Sequence, residues 1–250
     1  MEISDVQVSI PTWNSEATLN ECLSSMMKVF SEIHIYDRYS ADRTLSIAER
    51  YGCIIHMHDE NLGVTRTRMI QECPKPYLLM FDSDNTISSK SLREMPSAFE
   101  DLKTKDASVA AVQYLNVPLW EPLHSYCLWN FSKRKFPTKN PVRLDTACVL
   151  IDVHKAKGYT CDTPVYEDMT LGIFLYGKGF SVYVLGYPVI HLQTKKQAYE
   201  HWRFGGQYDP QSAMSVLTRI VRLCVTDNIP IQYKPIAIRQ QWETLRGMLS

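Results

Sequence analysis

"YLLMFDSDNTIS", Tyr77 to Ser88, is the stretch on which the reading of this chain turns. An apolar run of strand length feeds directly into two aspartates, Asp82 and Asp84, separated by Ser83. Two carboxylates this close repel each other unless positive charge lies between them. A divalent cation supplies that charge, and oxygen ligands favour magnesium or manganese over zinc. The plainer reading is a strand end followed by an Asx-type turn, since Asp, Ser and Asn all favour turns.

Working outward, strand and helix patterns alternate. Val6 to Ile10 is a buried strand, and Ser15 is the expected N-cap of the helix in "SEATLNECLSSMMKVF". Glu32 to Asp37 is a second strand, "ADRTLSIAERYG" a helix stopped by Gly52, "CIIHMH" a third strand and "GVTRTRMIQEC" a short helix. "YLLMFD" is then the fourth strand. This alternation over short connections predicts an α/β fold with a mixed, mostly parallel sheet and helices on both faces. Ligands in such sheets sit beyond the carboxyl ends of the strands. Pro11 to Asn14, Asp37, the stretch around Asn61, and Asp82 with Asp84 all follow such ends.

"ASVAAVQYLN" and "LDTACVLIDV" are further strands, separated by a long irregular segment from Val117 to about Arg143. Such segments tend to be binding loops or lids. Next come a loop entering a helix at "YEDMTLGIFLYGKG", a strand pair in "FSVYVLGYPVIH", and helices from Lys195 onward broken at Gly205/Gly206, Pro210 and Pro230. The expected division is a domain over 1–194, with halves at about 1–115 and 116–194, and a helical C-terminal extension over 195–250.

Lys plus Arg equals Asp plus Glu at 27 each, so no bulk charge draws the chain onto nucleic acid. The basic run "FSKRKFPTKNPVR" reads as a solvated loop or a phosphate-contacting lid; it lacks the aromatic interleaving of nucleic-acid binders. No apolar run reaches membrane-spanning length, and "MEISDVQVSIPTWN" does not read as a signal peptide. Seven scattered cysteines without CxxC argue for reduced thiols in a cytoplasmic protein.

In this order the motifs resemble family-2 glycosyltransferases of the GT-A fold. "VSIPTWNSEATLNECLSSM", "IYDRYSADRT", "NLGVTRTR", "MFDSDN" and "YEDMTLGIFLYGKGFSVYVL" carry the resemblance, over roughly residues 6–192. It implies a metal-dependent enzyme, using Mn2+ or Mg2+, that moves one sugar from a UDP- or GDP-sugar to a glycan or lipid-linked hydroxyl, with inversion. Asp84 would hold the metal, with Asp82 as a second ligand or facing ribose or sugar beside Ser83. Asp37 would read the base, with Pro11, Thr12 and Asn14 beside it; Asn61 and Gly63 belong to the third motif. Arg68 matches that motif's arginine, which would pair with phosphate or orient the Asp82 and Asp84 carboxylates. Arg66, two residues away, is expected to point elsewhere on the helix. Asp168 would be the general base, with Glu167 supporting it or standing as second candidate, and His191 would complete the metal shell.

Plainer readings stand beside these. Asp37 could be turn chemistry, although Asp42 is the better cap. Glu167 and Asp168 could be acidic residues favoured at a helix N-terminus, and His191 a satisfied polar group. Arg38 and Tyr39 depart from the family's small residues and leave the base open. "FDSDNT" also fits the first motif of haloacid-dehalogenase-like phosphatases, but there it would end the first strand rather than the fourth. A non-catalytic nucleotide-binding homologue is the other alternative.

In the tail, Ala213, Val216, Leu217, Ile220, Val221 and Cys224 form a helical stripe, with Ile238, Trp242, Leu245 and Leu249 in a second helix. Core packing is the default; peripheral membrane contact or a homodimer face are the alternatives. "QAYEHW" departs from the Gln-x-x-Arg-Trp of processive members, which implies transfer of a single sugar.

Overall fold

The structure, a computed structural model, describes residues 1–121, 123–140, 144, 146–164, 167–207, 213–225 and 229–249. The first half runs β1 (Val6–Thr12), α1 (Leu19–Met26), β2 (Ile33–Asp37), α2 (Thr44–Arg50), β3 (Ile54–Met57), α3 (Leu62–Gln71), β4 (Tyr77–Phe81), β5 (Asn85–Thr86), α4 (Ser89–Lys105) and β6 (Val109–Pro118). It continues with α5 (Leu123–Ser132), β7 (Thr138–Asn140), β8 (Cys148–Asp152), α6 (Val153–Ala156), α7 (Glu167–Gly177), β9 (Ser181–His191), α8 (Lys195–Gln207), α9 (Ala213–Val225) and α10 (Lys234–Met248).

The strands form one sheet in the order β3-β2-β1-β4-β8-β6-β9-β5, with β7 on β9. β1 pairs in parallel with β2 and β4, and β2 with β3. β8 lies antiparallel to both β4 and β6, so β6 runs with the first four strands and the sheet is mixed and mostly parallel.

β4 shows why the sheet is covered on both faces. Strand side chains alternate between faces. Leu79 and Phe81 enter a core with Leu23 and Met26 of α1, Ile47 of α2 and Phe99 of α4. Leu78 and Met80 enter a second core with Met69 and Ile70 of α3 and with Leu171 and Leu175 of α7. β8 divides in the same way, Cys148 and Leu150 to the first core and Val149 and Ile151 to the second. A strand buried on both faces reads as the continuous apolar run seen in "YLLMF".

The chain divides into two compact units, residues 1–117 with 134–192, and residues 118–133 with 193–250. Residues 118–133, expected in the second half of the first domain, fall in the helical unit. The segment from Val117 to Arg143 is not structureless: it contains α5 and β7. The strand pair expected in "FSVYVLGYPVIH" is the single strand β9.

The expected break at Gly205/Gly206 is also absent: α8 continues to Gln207. A Cβ on Gly206 would strike the Thr244 carbonyl, and one on Gly247 the Arg203 carbonyl. These glycines serve a close α8–α10 crossing rather than a helix end. The α9 stripe faces the core only in part, since Val216 is buried while Leu217 and Val221 are exposed. In α10, Leu245 is buried but Trp242 and Leu249 are exposed. Tyr166, Arg143, Pro210 and the side chain of Cys224, named from sequence, lie outside the described residues.

Candidate active site

A cleft of about 280 Å³ opens at the carboxyl ends of β1, β2 and β4. Pro11, Thr12, Asp82, Ser83 and Asp84 line it, together with Trp13, Arg38, His58 and Arg66. Asn14, Asp37, Asn61, Gly63, Arg68, Glu167, Asp168 and His191 are not among its lining residues.

Arg66 is the centre of the arrangement. Its side chain is 2% exposed; Nη2 donates to Asp82 Oδ1 at 2.7 Å and Nε to Glu167 Oε1 at 3.1 Å. Burial alone would lower the Arg66 pKa, but the two carboxylates outweigh it and hold the guanidinium charged. Its Nη1 is buried without a hydrogen-bond partner among the described residues. Glu167 also accepts from Thr146 Oγ1 at 3.4 Å.

The expectation that Arg68 orients the Asp82 and Asp84 carboxylates is corrected here. Arg68 lies nearer the surface, paired with Glu72 at 2.9 Å and Glu60 at 3.3 Å. The arginine at the Asp82 carboxylate is Arg66. A sequence signal existed: Arg66 shares the i, i+3, i+4 stripe with buried Met69 and Ile70, so it occupies a core position of α3. Trp13, Arg38 and His58 were also not singled out as site residues. Burial lowers the His58 pKa, and its Nδ1 accepts from Glu60 N at 3.3 Å.

Asp37 is fully buried. Oδ2 accepts from Thr12 Oγ1 and from Ser40 Oγ, each at 2.7 Å, and Oδ1 from Ser40 N at 2.7 Å. These contacts tie the end of β1 to the turn after β2. Asn14, at φ 50°, joins the same two loops: its N donates to Ser40 Oγ and its Oδ1 accepts from Ala41 N. Asp42 accepts from the Thr44 N and hydroxyl and from Glu16 N. Ser15 does not cap α1 with its side chain; its hydroxyl meets Ser83 Oγ at 2.9 Å. At the base of the cleft mouth, the Arg38 guanidinium lies 5.3 Å from the centre of the Trp13 ring.

Asn61 caps α3, its Oδ1 accepting from Val64 N, while its Nδ2 donates to the Asp162 carbonyl at 2.7 Å. Gly63 N donates to Thr163 O, and a Cβ there would collide with that carbonyl. Cys161 N donates to Thr67 Oγ1 at 2.9 Å. Residues 161–163 are thus laced to α3, which leads the chain toward Glu167 and Asp168 at the start of α7. Asp168 Oδ1 accepts from Met169 N at 2.8 Å. The geometry therefore gives Asn61 and Gly63 a packing and capping place behind the cleft.

On the other side, β5 lies antiparallel to the end of β9, with Asn85 opposite His191. His191 Nε2 and Asp84 Oδ2 stand 2.8 Å apart, and Leu192 N donates to the Asp84 carbonyl at 2.7 Å. Among the described residues no group of three His, Cys, Asp or Glu side chains converges as a metal site. Asp84 and His191 still offer one carboxylate and one imidazole, a donor pair that manganese accepts. Divalent cations that act on diphosphates need few protein ligands, because phosphate oxygens and water complete the shell.

Residues 7–157 match the profile of Glycosyl transferase family 2, and the chain belongs to that family. Among curated proteins it is similar to the poly(ribitol-phosphate) beta-N-acetylglucosaminyltransferase TarS of Staphylococcus aureus, 27% identical over 121 residues. That match covers 44% of this chain and 21% of TarS, so the chain spans about a fifth of that relative's length. Among solved structures, the Pyrobaculum calidifontis mannosyltransferase PcManGT, in complex with GDP-Man and Mn2+, aligns over 98% of this chain and 73% of its own. Its TM-score is 0.61 at 14% identity. S. aureus TarS 1-349 aligns at TM-score 0.55 and 16% identity, over 97% of this chain and 80% of its own. Glucosyl-3-phosphoglycerate synthase of Mycobacterium tuberculosis aligns at 0.55 and 12%, over 76% and 73%. At these identities the likeness is one of fold, the GT-A fold. The phosphatase reading of Asp82 finds no support: β4 is the fourth strand, beside β1 in the sheet.

Proposed function

We propose that this chain transfers a single sugar from a nucleoside-diphosphate sugar to the hydroxyl of a glycan or lipid-linked acceptor, with inversion. The observation that carries the reading is the Arg66 bridge. One buried guanidinium joins Asp82, at the donor end of β4, to Glu167 of the acidic pair that opens α7. Two motifs roughly 85 residues apart are thereby tied to one guanidinium.

In this reading Asp168 accepts the acceptor hydroxyl's proton as the new bond to the anomeric carbon forms. The bond from that carbon to the diphosphate breaks at the same time, and the diphosphate leaves with its electron pair. Glu167, whose carboxylate is engaged by Arg66 and Thr146, positions rather than accepts. Asp84 and His191 are the residues that would hold Mn2+ or Mg2+, with Asp82 beside them. Such a cation neutralises negative charge on the leaving diphosphate.

The base of a UDP- or GDP-sugar would lie against Trp13 and Arg38 rather than on Asp37, whose oxygens already accept three hydrogen bonds. A guanidinium donates, which suits the keto oxygens of uracil or guanine. Cys22, Cys53, Cys73, Cys127, Cys148 and Cys161 form no disulfide, in keeping with a reducing, cytoplasmic setting. Among the described residues no helix is long and apolar enough to cross a membrane.

The test is thermal stabilisation by UDP-, GDP- and dTDP-sugars with and without manganese. One donor should stabilise the protein more when metal is present, and Asp84→Ala should abolish that metal-dependent part. If no nucleotide stabilises the chain under either condition, the reading fails.

A further inference from the structure

In the helical unit, three arginines meet on one carboxylate. Glu243 of α10 is fully buried, and Arg203 of α8 closes on it together with Arg239 and Arg246 of α10. Arg203 donates to Oε2 from Nε at 3.1 Å and from Nη2 at 2.7 Å. Arg239 Nη2 lies 2.6 Å from Oε1, and Arg246 Nη1 donates to both oxygens at 3.4 Å. The close α8–α10 crossing holds this meeting in place, since Gly206 abuts the Thr244 carbonyl and Gly247 the Arg203 carbonyl.

The charges do not balance. Three guanidiniums share one carboxylate, which leaves two positive charges in excess at a single point. Arginine keeps its charge in proteins, so the excess cannot be shed as a proton. Like charges this close repel one another until an anion joins them. The other described carboxylates of the unit are engaged elsewhere. Glu121 accepts from the Ser125 hydroxyl, and Glu200 lies 3.9 Å from Lys196. Over the whole unit Lys and Arg outnumber Asp and Glu nine to five.

Donors are left over for such an anion. Glu243 engages Nε and Nη2 of Arg203 but only one nitrogen each of Arg239 and Arg246. A guanidinium carries five N–H groups, so most of the fork of Arg239 and of Arg246 takes no part in holding the carboxylate. The side chains of Arg203, Arg239 and Arg246 are 39%, 44% and 48% exposed, so these groups reach solvent. At 100° per residue Arg239, exposed Trp242 and Arg246 fall within about 60° of one another on α10. A further cation is near: Lys195 Nζ and the Arg239 guanidinium lie 5.8 and 4.8 Å from the centre of the Tyr199 ring.

We propose that the Arg203, Arg239 and Arg246 triad binds the phosphate group of a phosphomonoester. Such a group carries about −1.5 to −2 charge at neutral pH and three acceptor oxygens. That matches an excess of two positive charges and several planar donors, whereas a carboxylate brings one charge and two oxygens. Glu243 is the fixed counter-charge that gathers the arginines before the ligand arrives. None of these residues lines the cleft at the carboxyl ends of the strands, so the site is additional to the donor reading.

The experiment is a phosphorus NMR titration of the full chain with inorganic phosphate and with glycerol 3-phosphate, in EDTA and without nucleotide. Both should bind saturably. Arg239→Gln with Arg246→Gln should weaken binding by about tenfold or more, the scale of one lost charge-assisted hydrogen bond. This pair leaves Arg203 on Glu243 through both of its hydrogen bonds. If the pair lowers the melting temperature, Arg246→Lys decides: it keeps the charge, removes the fork, and should weaken phosphate binding at an unchanged melting temperature.

Vesicles of phosphatidylcholine with phosphatidic acid separate the sources of the group. Pelleting that glycerol 3-phosphate reverses and the arginine pair abolishes assigns it to a lipid headgroup; titration without pelleting assigns it to a soluble ester. Absence of saturable binding, or binding that both arginine variants leave unchanged, overturns the proposal. So does phosphate binding that Arg38→Ala removes, which would place the anion in the cleft. With no nucleotide or metal present, failure here leaves the donor reading untouched.

Discussion

Arg66 Nη2 and Asp82 Oδ1 lie 2.7 Å apart, with the guanidinium buried and the carboxylate opening toward the cleft. The same guanidinium holds Glu167 through Nε. Removing it would leave two acidic groups, one of them buried, without their cation. Arg66→Ala should cost about 3–5 kcal/mol, as for other broken buried pairs. Arg68→Ala, whose partners Glu60 and Glu72 are solvent-exposed in part, should cost under about 1 kcal/mol. Urea denaturation of the two variants side by side measures the difference; equal costs would refute the assignment of Arg66.

Asp37 and Arg38 are neighbours with opposite expected phenotypes. Asp37→Asn loses acceptor capacity for the Thr12 and Ser40 hydroxyls and the Ser40 amide, and should destabilise by about 1–3 kcal/mol. Arg38→Ala touches only the exposed Trp13 contact, worth about 0.5–1 kcal/mol, so stability should hardly move. Nucleotide affinity should fall instead, as read by calorimetric titration. An Asp37→Asn protein of full stability with lost nucleotide affinity would return base reading to Asp37.

The acidic pair should also separate. Asp168→Asn should lower kcat by about 10²–10⁴-fold with donor affinity retained, as for loss of a general base. Glu167→Gln should instead show its main effect in the melting temperature, because its carboxylate answers Arg66. Single-turnover kinetics and melting curves on both variants make the comparison.

Gly63 permits close approach of α3 to residues 161–163. Gly63→Ala would press a methyl group into the Thr163 carbonyl and should destabilise by about 1–3 kcal/mol. Gly177→Ala, where a Cβ meets nothing within 4 Å, is the control and should be nearly silent. Both are read by denaturant midpoints.

Glu243 links α10 to α8. Its buried carboxylate meets Arg239 at 2.6 Å, Arg203 at 2.7 Å and Arg246 at 3.4 Å. Burial would raise its pKa, but the Arg203 hydrogen bonds and the charges of Arg239, Arg203 and Arg246 bring it below the usual carboxylate value. A depressed carboxylate pKa stabilises fully above the unfolded value of about 4.3, and that contribution is lost as pH falls through the folded value. Glu243→Gln should therefore lower the melting temperature at neutral pH. The gap to the parent protein should narrow below about pH 4; a gap independent of pH would refute the charge account.

Much of this molecule is legible without coordinates. The apolar run of β4, the alternation around it and the acidic residues after it are local patterns, set by periodicity and turn chemistry. They placed the parallel sheet, its covered faces and the edge bearing Pro11, Thr12, Ser83, Asp82 and Asp84. β9 as one strand, and α8 running through Gly205 and Gly206, were not legible. Whether a glycine ends a helix or admits a neighbour depends on what packs there, here the Thr244 carbonyl.

The sequence by itself determined the class of fold and the set of residues from which a site could be built, because secondary structure and turn signals act over a few residues. Tertiary structure alone decided which of them meet. Arg66 rather than Arg68 reaches Asp82 because α3 is rotated to bury the Arg66 stripe against the sheet. Asp84 finds His191 because β5 and β9, about a hundred residues apart, pair in one register. Asp37 is turned inward because the β1 and β2 loops close on it. Each outcome is set by a long-range contact, which no local pattern encodes.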